Sequence, residues 1–170
     1  MSIESIFVTA TADKLAQICG RVEICVDKLA PDQIWIRHGE NENAIGNLIL
    51  HLAGNVRQWI LGGVGGQHHI RDRDGEFTAR EEFTTQELKG HLRSTVDAAV
   101  TLIRTLPPER LVEPITVQGY RVTVLEAILH VVEHFSGHAG QIIFAVKFLT
   151  GEDLGFYAHL RTKAHAEKLP

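Results

Sequence analysis

The chain has 170 residues, a net charge of −4, 44% hydrophobic and 22% charged residues, enough to bury one core in a single domain spanning 1–170. A pI near 6.2 without a basic stripe excludes nucleic acid as a partner, and no run of eighteen apolar residues provides a membrane span. The N-terminal MSIESIFVTATADKLAQICG lacks the basic start and apolar block of a secretory signal, so the expected location is cytoplasmic.

The first predicted helix covers roughly residues 3–29. Ile6, Leu15, Ile18, Val22, Val26 and Leu29 form its apolar stripe, and Pro31 follows its end. Cys19 and Cys25, six apart, lie on different faces and read as two buried free thiols. After the polar DQIWIRHGENEN, a second helix runs from about Asn43 to Leu61. Ile45, Leu48, Ile49, Leu52, Val56, Trp59 and Ile60 keep its 3.6 period, and the glycines of GGVGG stop it.

The glycine-rich, charged segment 62–83 is long for a connection and reads as a crossover of the bundle. Thr84 and Glu87 then form a capping box for a third helix, which reaches about Leu106 before Pro107-Pro108. PITVQGYRV, alternating around Gln118-Gly119, reads as a β-hairpin. Thr123 with Glu126 opens the fourth helix, which lasts to Leu149 and ends at Gly151. The expected fold is all-α: a four-helix bundle of up-down-down-up order, with a long crossover between helices 2 and 3 and a tail, 152–170, packed on the bundle.

Ten histidines stand in this chain, and HVVEHFSGHAGQI spaces three of them four apart, at 130, 134 and 138. His130 and His138 are about 12 Å apart along the axis, too far to share one ion. Against an apolar stripe of Leu125, Ile128, Val132, Phe135, Ala139, Ile142, Val146 and Leu149, His138 sits about 80° off centre, His134 about 120° and His130 about 160°. His134 and His138 are therefore the candidate ligand pair, with small neighbours Ser136, Gly137, Ala139 and Gly140 leaving room for an ion. The candidate third ligand is His51 in NLILHLAGNVRQW, about 120° from its apolar centre. Asn47 and Asn55 flank it by one turn and suit the orienting of an imidazole, while Gln141 is a candidate contact for water or substrate. The other histidines lie in linkers, loops, the tail or a polar stretch of the third helix. A single HxxxH pair also arises by chance, and a buried histidine is often simply hydrogen-bonded.

Histidine in NLILHLAGN followed by HFSGHAGQI on a later helix resembles the DinB-like superfamily of small bacterial four-helix proteins, in particular one of its uncharacterised branches. PITVQGYRVTVLEAILHVVEH and KFLTGEDLGFY carry the resemblance from the Trp35 linker to Tyr157. It implies a divalent metal, zinc or nickel, on His51, His134 and His138, with no ligand role for His130. It further implies a thiol-dependent transferase using a low-molecular-weight thiol and a small-molecule substrate, with a homodimer as the expected assembly. A metal-dependent hydrolase, or a metal-binding or interaction protein without turnover, are the alternatives. No carboxylate is expected on the His134–His138 face, since Glu133 points about 100° from His134. Arg57 is the local candidate for a cationic lining; Phe156 and Tyr157 are expected to pack against the bundle, with a pocket wall as the alternative.

Overall fold

The structure, a computed structural model, describes residues 2–161; the end of the expected tail, with His165, lies outside the described residues. Among them the chain is all-α apart from one hairpin. Helix α1 (Ile3–Val26) starts where the Ser2 hydroxyl accepts the Ser5 N–H. Leu15, Ile18, Val22 and Val26 are buried as the period requires, and both thiols are buried and free. Ile6 departs from expectation: it is 50% exposed, and Val8, Thr11 and Ala12 take the core positions. The helix also ends three residues early. Two tighter turns, Lys28 N–H to Cys25 and Leu29 N–H to Val26, carry the buried Leu29 onward.

Helix α2 (Ile45–Val56) is buried almost throughout and does not stop at Leu61; it widens into a π-helical stretch, Arg57–Val64. The glycines there serve packing more than termination. A Cβ on Gly63 would sit 2.4 Å from Val117 of the hairpin, so the hairpin can approach only a glycine.

The crossover is not structureless. It contains a short helix, α3 (Arg73–Thr78), whose first turn is capped by Asp72 accepting the Gly75 N–H at 2.9 Å. Helix α4 (Thr85–Arg104) and helix α5 (Val124–Thr150) both open on the two expected capping boxes, and α5 ends on left-handed Gly151. Strands β1 (Pro114–Val117) and β2 (Tyr120–Thr123) pair antiparallel about Gln118 and Gly119, both at positive φ as a two-residue hairpin turn demands.

Helices α1 and α2 each pack against α4 and α5, and α3 lies on α2. Asp13, Glu23 and Asp27 on α1 pair in reverse order with Arg104, Arg93 and Lys89 on α4, so these two helices run antiparallel. The core between the helices holds Leu15, Leu52, Ile103, Ile128, Phe135 and Ile142, all essentially inaccessible. Arg21 lies over Phe156 and Tyr157, placing these aromatics against α1 rather than beside the histidines.

Candidate metal centre

Helix α2 presents His51 from a buried, apolar stretch, and α5 presents His134 and His138 one turn apart. The structure brings the three together: one ring nitrogen from each lies within 4.8 Å of the others, and Nε2 of His51 is 2.9 Å from Nε2 of His134. An ion 2.0–2.1 Å from each nitrogen wants them roughly 3.4 Å apart. The His51–His134 pair, at 2.9 Å, is somewhat closer than that, and all three nitrogens fall within 4.8 Å.

His51 is 4% exposed, and its Nδ1 faces Oε2 of Glu76, 3.1 Å away on α3. Arg71 Nη2 lies 3.1 Å from the same Nδ1 but donates to Oε2 at 2.7 Å; with the carboxylate accepting Nδ1–H, His51 takes the tautomer that turns an unprotonated Nε2 toward the other two imidazoles. Arg71 holds Glu76 in turn. Its Nε donates to Oε1 at 2.6 Å and its Nη2 to Oε2 at 2.7 Å, while further N–H groups reach Gln58 Oε1 and the His51 carbonyl. Burial alone would raise the Glu76 pKa; hydrogen bonds from His51 and Arg71, with the guanidinium charge, outweigh it and hold the carboxyl below its ordinary value. The ring of Phe77, also on α3, packs 4.7 Å from that of His51 and covers its other side.

The chain makes room for this arrangement at one position. A Cβ on Gly54 would fall 1.9 Å from Glu76 Oε1 and 2.9 Å from Arg71 Nε, so only glycine one turn along from His51 admits the ion pair. Glu76 and Arg71 are the residues that reasoning from sequence missed. The available signal was Gly54 itself, a glycine inside an otherwise apolar helix.

On the α5 side, His138 Nδ1 lies 2.8 Å from Gln141 Oε1, one turn on, so Gln141 accepts the Nδ1 proton and leaves Nε2 bare. Burial and the neighbouring His138, His51 and His130 push His134 down to about 4, and burial also lowers His138. His134 is therefore neutral at pH 7, the form a metal ligand needs.

Asn47 and Asn55 are both buried, but neither hydrogen-bonds the His51 ring among the described residues. Asn47 ties the crossover down instead. It donates to the carbonyls of Glu76 and Ala79, and it accepts from Arg37 and from the Ala44 N–H. His130 is not turned into solvent: its ring lies 4.3 Å from that of Trp59 and 5.6 Å from that of His134. The reason is a small rotation of α5, in which Val131 rather than Val132 takes the core position and draws His130 toward α2.

In front of the histidines lies an open cleft of about 380 Å³. His130, Glu133, His134, Gly137, His138 and Gln141 line it, so a carboxylate does stand at the rim of this face. A Cβ on Gly137 or Gly140 would meet nothing, consistent with open space beside His138. Arg57 lies elsewhere, donating to Thr95 and lining a separate cavity behind Glu76; the cation beside the histidines is Arg71.

A three-imidazole set whose ring nitrogens converge suits a divalent ion of intermediate softness. Among solved structures, a DinB-like protein from Bacillus subtilis matches this fold with a TM-score of 0.67 and 17% sequence identity, over 87% of this chain and 97% of that one. No curated protein matches the sequence. The family described as "Protein of unknown function (DUF1572)" matches residues 2–161, and the chain belongs to it.

Proposed function

We propose that this protein binds a divalent metal ion, zinc or nickel, through His51, His134 and His138, and uses it as a thiol-dependent transferase acting on a small-molecule electrophile. One observation carries the reading: ring nitrogens of three imidazoles converge within 4.8 Å of one another, with His134 and His138 on the wall of an open cleft and with His51 and His138 oriented by Glu76 and Gln141. A bound ion supplies Lewis acidity and holds a coordinated thiol as its thiolate. The chain supplies the rest. Glu76 and Arg71 hold His51 against rotation, Gln141 sets His138, and the glycine at 137 keeps the approach clear for a ligand.

Two further features support particular alternatives. Glu133 at the cleft rim suits a general base for a metal-dependent hydrolase. The lining of the cleft by α5 alone suits a metal-binding protein without turnover, because little encloses a substrate. The same reading places the protein in the cytoplasm, where two buried thiols stay reduced. It also arranges the helices up-down-down-up, an order supported by the antiparallel pairing of α1 with α4 and by Lys28 at the end of α1 meeting Glu152 just beyond α5.

Elemental analysis of purified wild type should return about one divalent ion per chain, the occupancy expected of one tight three-histidine site. His51→Ala and His138→Ala should lose it, and His130→Ala should keep it. After cobalt substitution, a low-molecular-weight thiol should produce a sulfur-to-cobalt charge-transfer band, and a panel of thiols and electrophiles should show turnover that His134→Ala abolishes. Equal activity in wild type and His134→Ala removes the metal from the chemistry. Full occupancy with a silent panel supports the binding protein.

A further inference from the structure

A second cleft opens between α2, the crossover and α4, on the far side of the Arg71–Glu76 pair from the histidines. A cavity of about 500 Å³ there shares Leu50, Phe83 and His91 with a smaller one of about 300 Å³, so the two are continuous. None of their lining residues lines the histidine cleft. The size is that of a small-molecule site.

The two ends differ in chemistry. At one end stands Arg57, which reaches from the end of α2 to α4, where its Nη2 lies 3.4 Å from the Thr95 hydroxyl. Among the described residues no carboxylate pairs with it. A guanidinium carries several N–H donors in a fixed fork, and one long bond leaves most of them unused. His91, one turn before Thr95, and His69 of the crossover line the cavity with it. Partial burial first, and then the Arg57 charge, hold both histidines below their ordinary values, so each stays neutral and keeps one N–H to donate. The acidic residues of the wall are already engaged. Glu76 holds Arg71, Asp72 accepts the Gly75 N–H, Glu82 accepts the Arg80 N–H and Glu87 closes the capping box with Thr84.

The other end is apolar. Leu50, Phe83 and Leu88 line it, and the Phe83 carbonyl accepts the Trp35 indole N–H at 3.1 Å, which pins that segment. Leu50 precedes Arg57 by seven residues on α2, and Leu88 precedes Thr95 by seven on α4. The apolar and cationic ends are therefore about 10 Å apart along both helices.

We propose that this cleft binds a small-molecule monocarboxylate with an apolar body of about that length, its carboxylate on Arg57 and its body over Leu50 toward Phe83 and Leu88. A guanidinium takes a carboxylate through two parallel N–H bonds. One unpaired guanidinium also matches a single negative charge better than the nearly two of a phosphate monoester. The occupant lies against the pair that orients His51 without touching the histidines, and the site stands whether or not they hold a metal.

Calorimetric titration of the full chain, before and after metal removal, should show octanoate binding at about 1 mM or tighter and about tenfold more tightly than octanamide. Arg57→Met should remove that preference and leave octanamide binding unchanged, whereas Phe83→Ser should weaken both. In wild type, octanoate should shift the proton resonances of the His69 and His91 rings and leave those of His130 in place, a readout that needs no variant to fold. Equal affinity for acid and amide overturns the proposal, as does a preference that survives Arg57→Met or an absence of heat up to about 10 mM. Binding that disappears on metal removal or in His138→Ala would place the carboxylate on the ion and overturn it as well. A metal-free wild type that still binds octanoate sinks the metal reading alone.

Discussion

On α2, His51 is 4% exposed, faces a carboxylate from a different element, and is wedged beneath Phe77. On α5, His134 and His138 are only half-buried, and His138 leans on an amide oxygen from its own helix, one turn away. The two sides of the centre are thus built differently. The α2 side is a buried polar network spanning α2 and the crossover, in which each member satisfies another. The α5 side is a pair of half-buried side chains on one helix, and the amide that orients His138 belongs to that same helix. Removing a partner on the first side should damage folding as well as binding, whereas on the second it should damage binding alone.

The largest separation between the sides is expected from Glu76→Gln. It leaves the Arg71 guanidinium, 5% exposed, without its carboxylate, and loss of one partner from a buried pair costs about 3–5 kcal/mol. Urea titration of the metal-free protein should show that loss, and metal affinity should drop about 10–100-fold with it. Wild-type stability in Glu76→Gln would mean that the network does not hold the crossover.

A smaller effect follows from pH. The folded state holds His134 at about 4, below its ordinary value near 6.5, so between these values the unfolded chain binds a proton that the folded one does not. The contribution of His134 is complete above about 6.5 and is lost as pH falls toward 4. The lowered Glu76 adds a second loss, of the same sign, as pH falls below the ordinary carboxyl range. Urea midpoints of the metal-free protein measured between pH 7.5 and 4.5 should therefore fall, and His134→Phe should flatten the upper part of the slope. A flat wild-type profile would contradict the burial of an uncharged His134.

The smallest structural effect belongs to Gln141→Ala. Exposed on α5, this residue should contribute less than about 0.5 kcal/mol to stability. Metal affinity should nonetheless fall about tenfold, because His138 loses the acceptor that sets its tautomer. Titration with a competing chelator measures the affinity, and a melt of the metal-free protein measures the stability. A large fall in stability would place Gln141 in the framework and blur the contrast between the two sides.

The sequence by itself determined the parts that depend on contacts four residues long. Both capping boxes, the hairpin turn at Gln118-Gly119, the left-handed Gly151 and the burial of Ile49, Leu52, Val56 and Ile60 follow from local hydrogen bonding and helical period. The same period put His51, His134 and His138 on helix shoulders, which is why the three were legible before any packing was known. What surrounds them was not. Helix α3 is six residues long, too short to show an apolar period, and its Glu76 lies 25 residues from the His51 it orients. The close approach of the hairpin to Gly63 within the widened end of α2 depends on contacts distant in sequence, and the position of His130 on a slight turn of α5 toward Trp59. Only the tertiary structure decided these, because a carboxylate or a ring becomes a partner when distant segments close on the same few ångströms of space, and helical period carries no record of which segments those are.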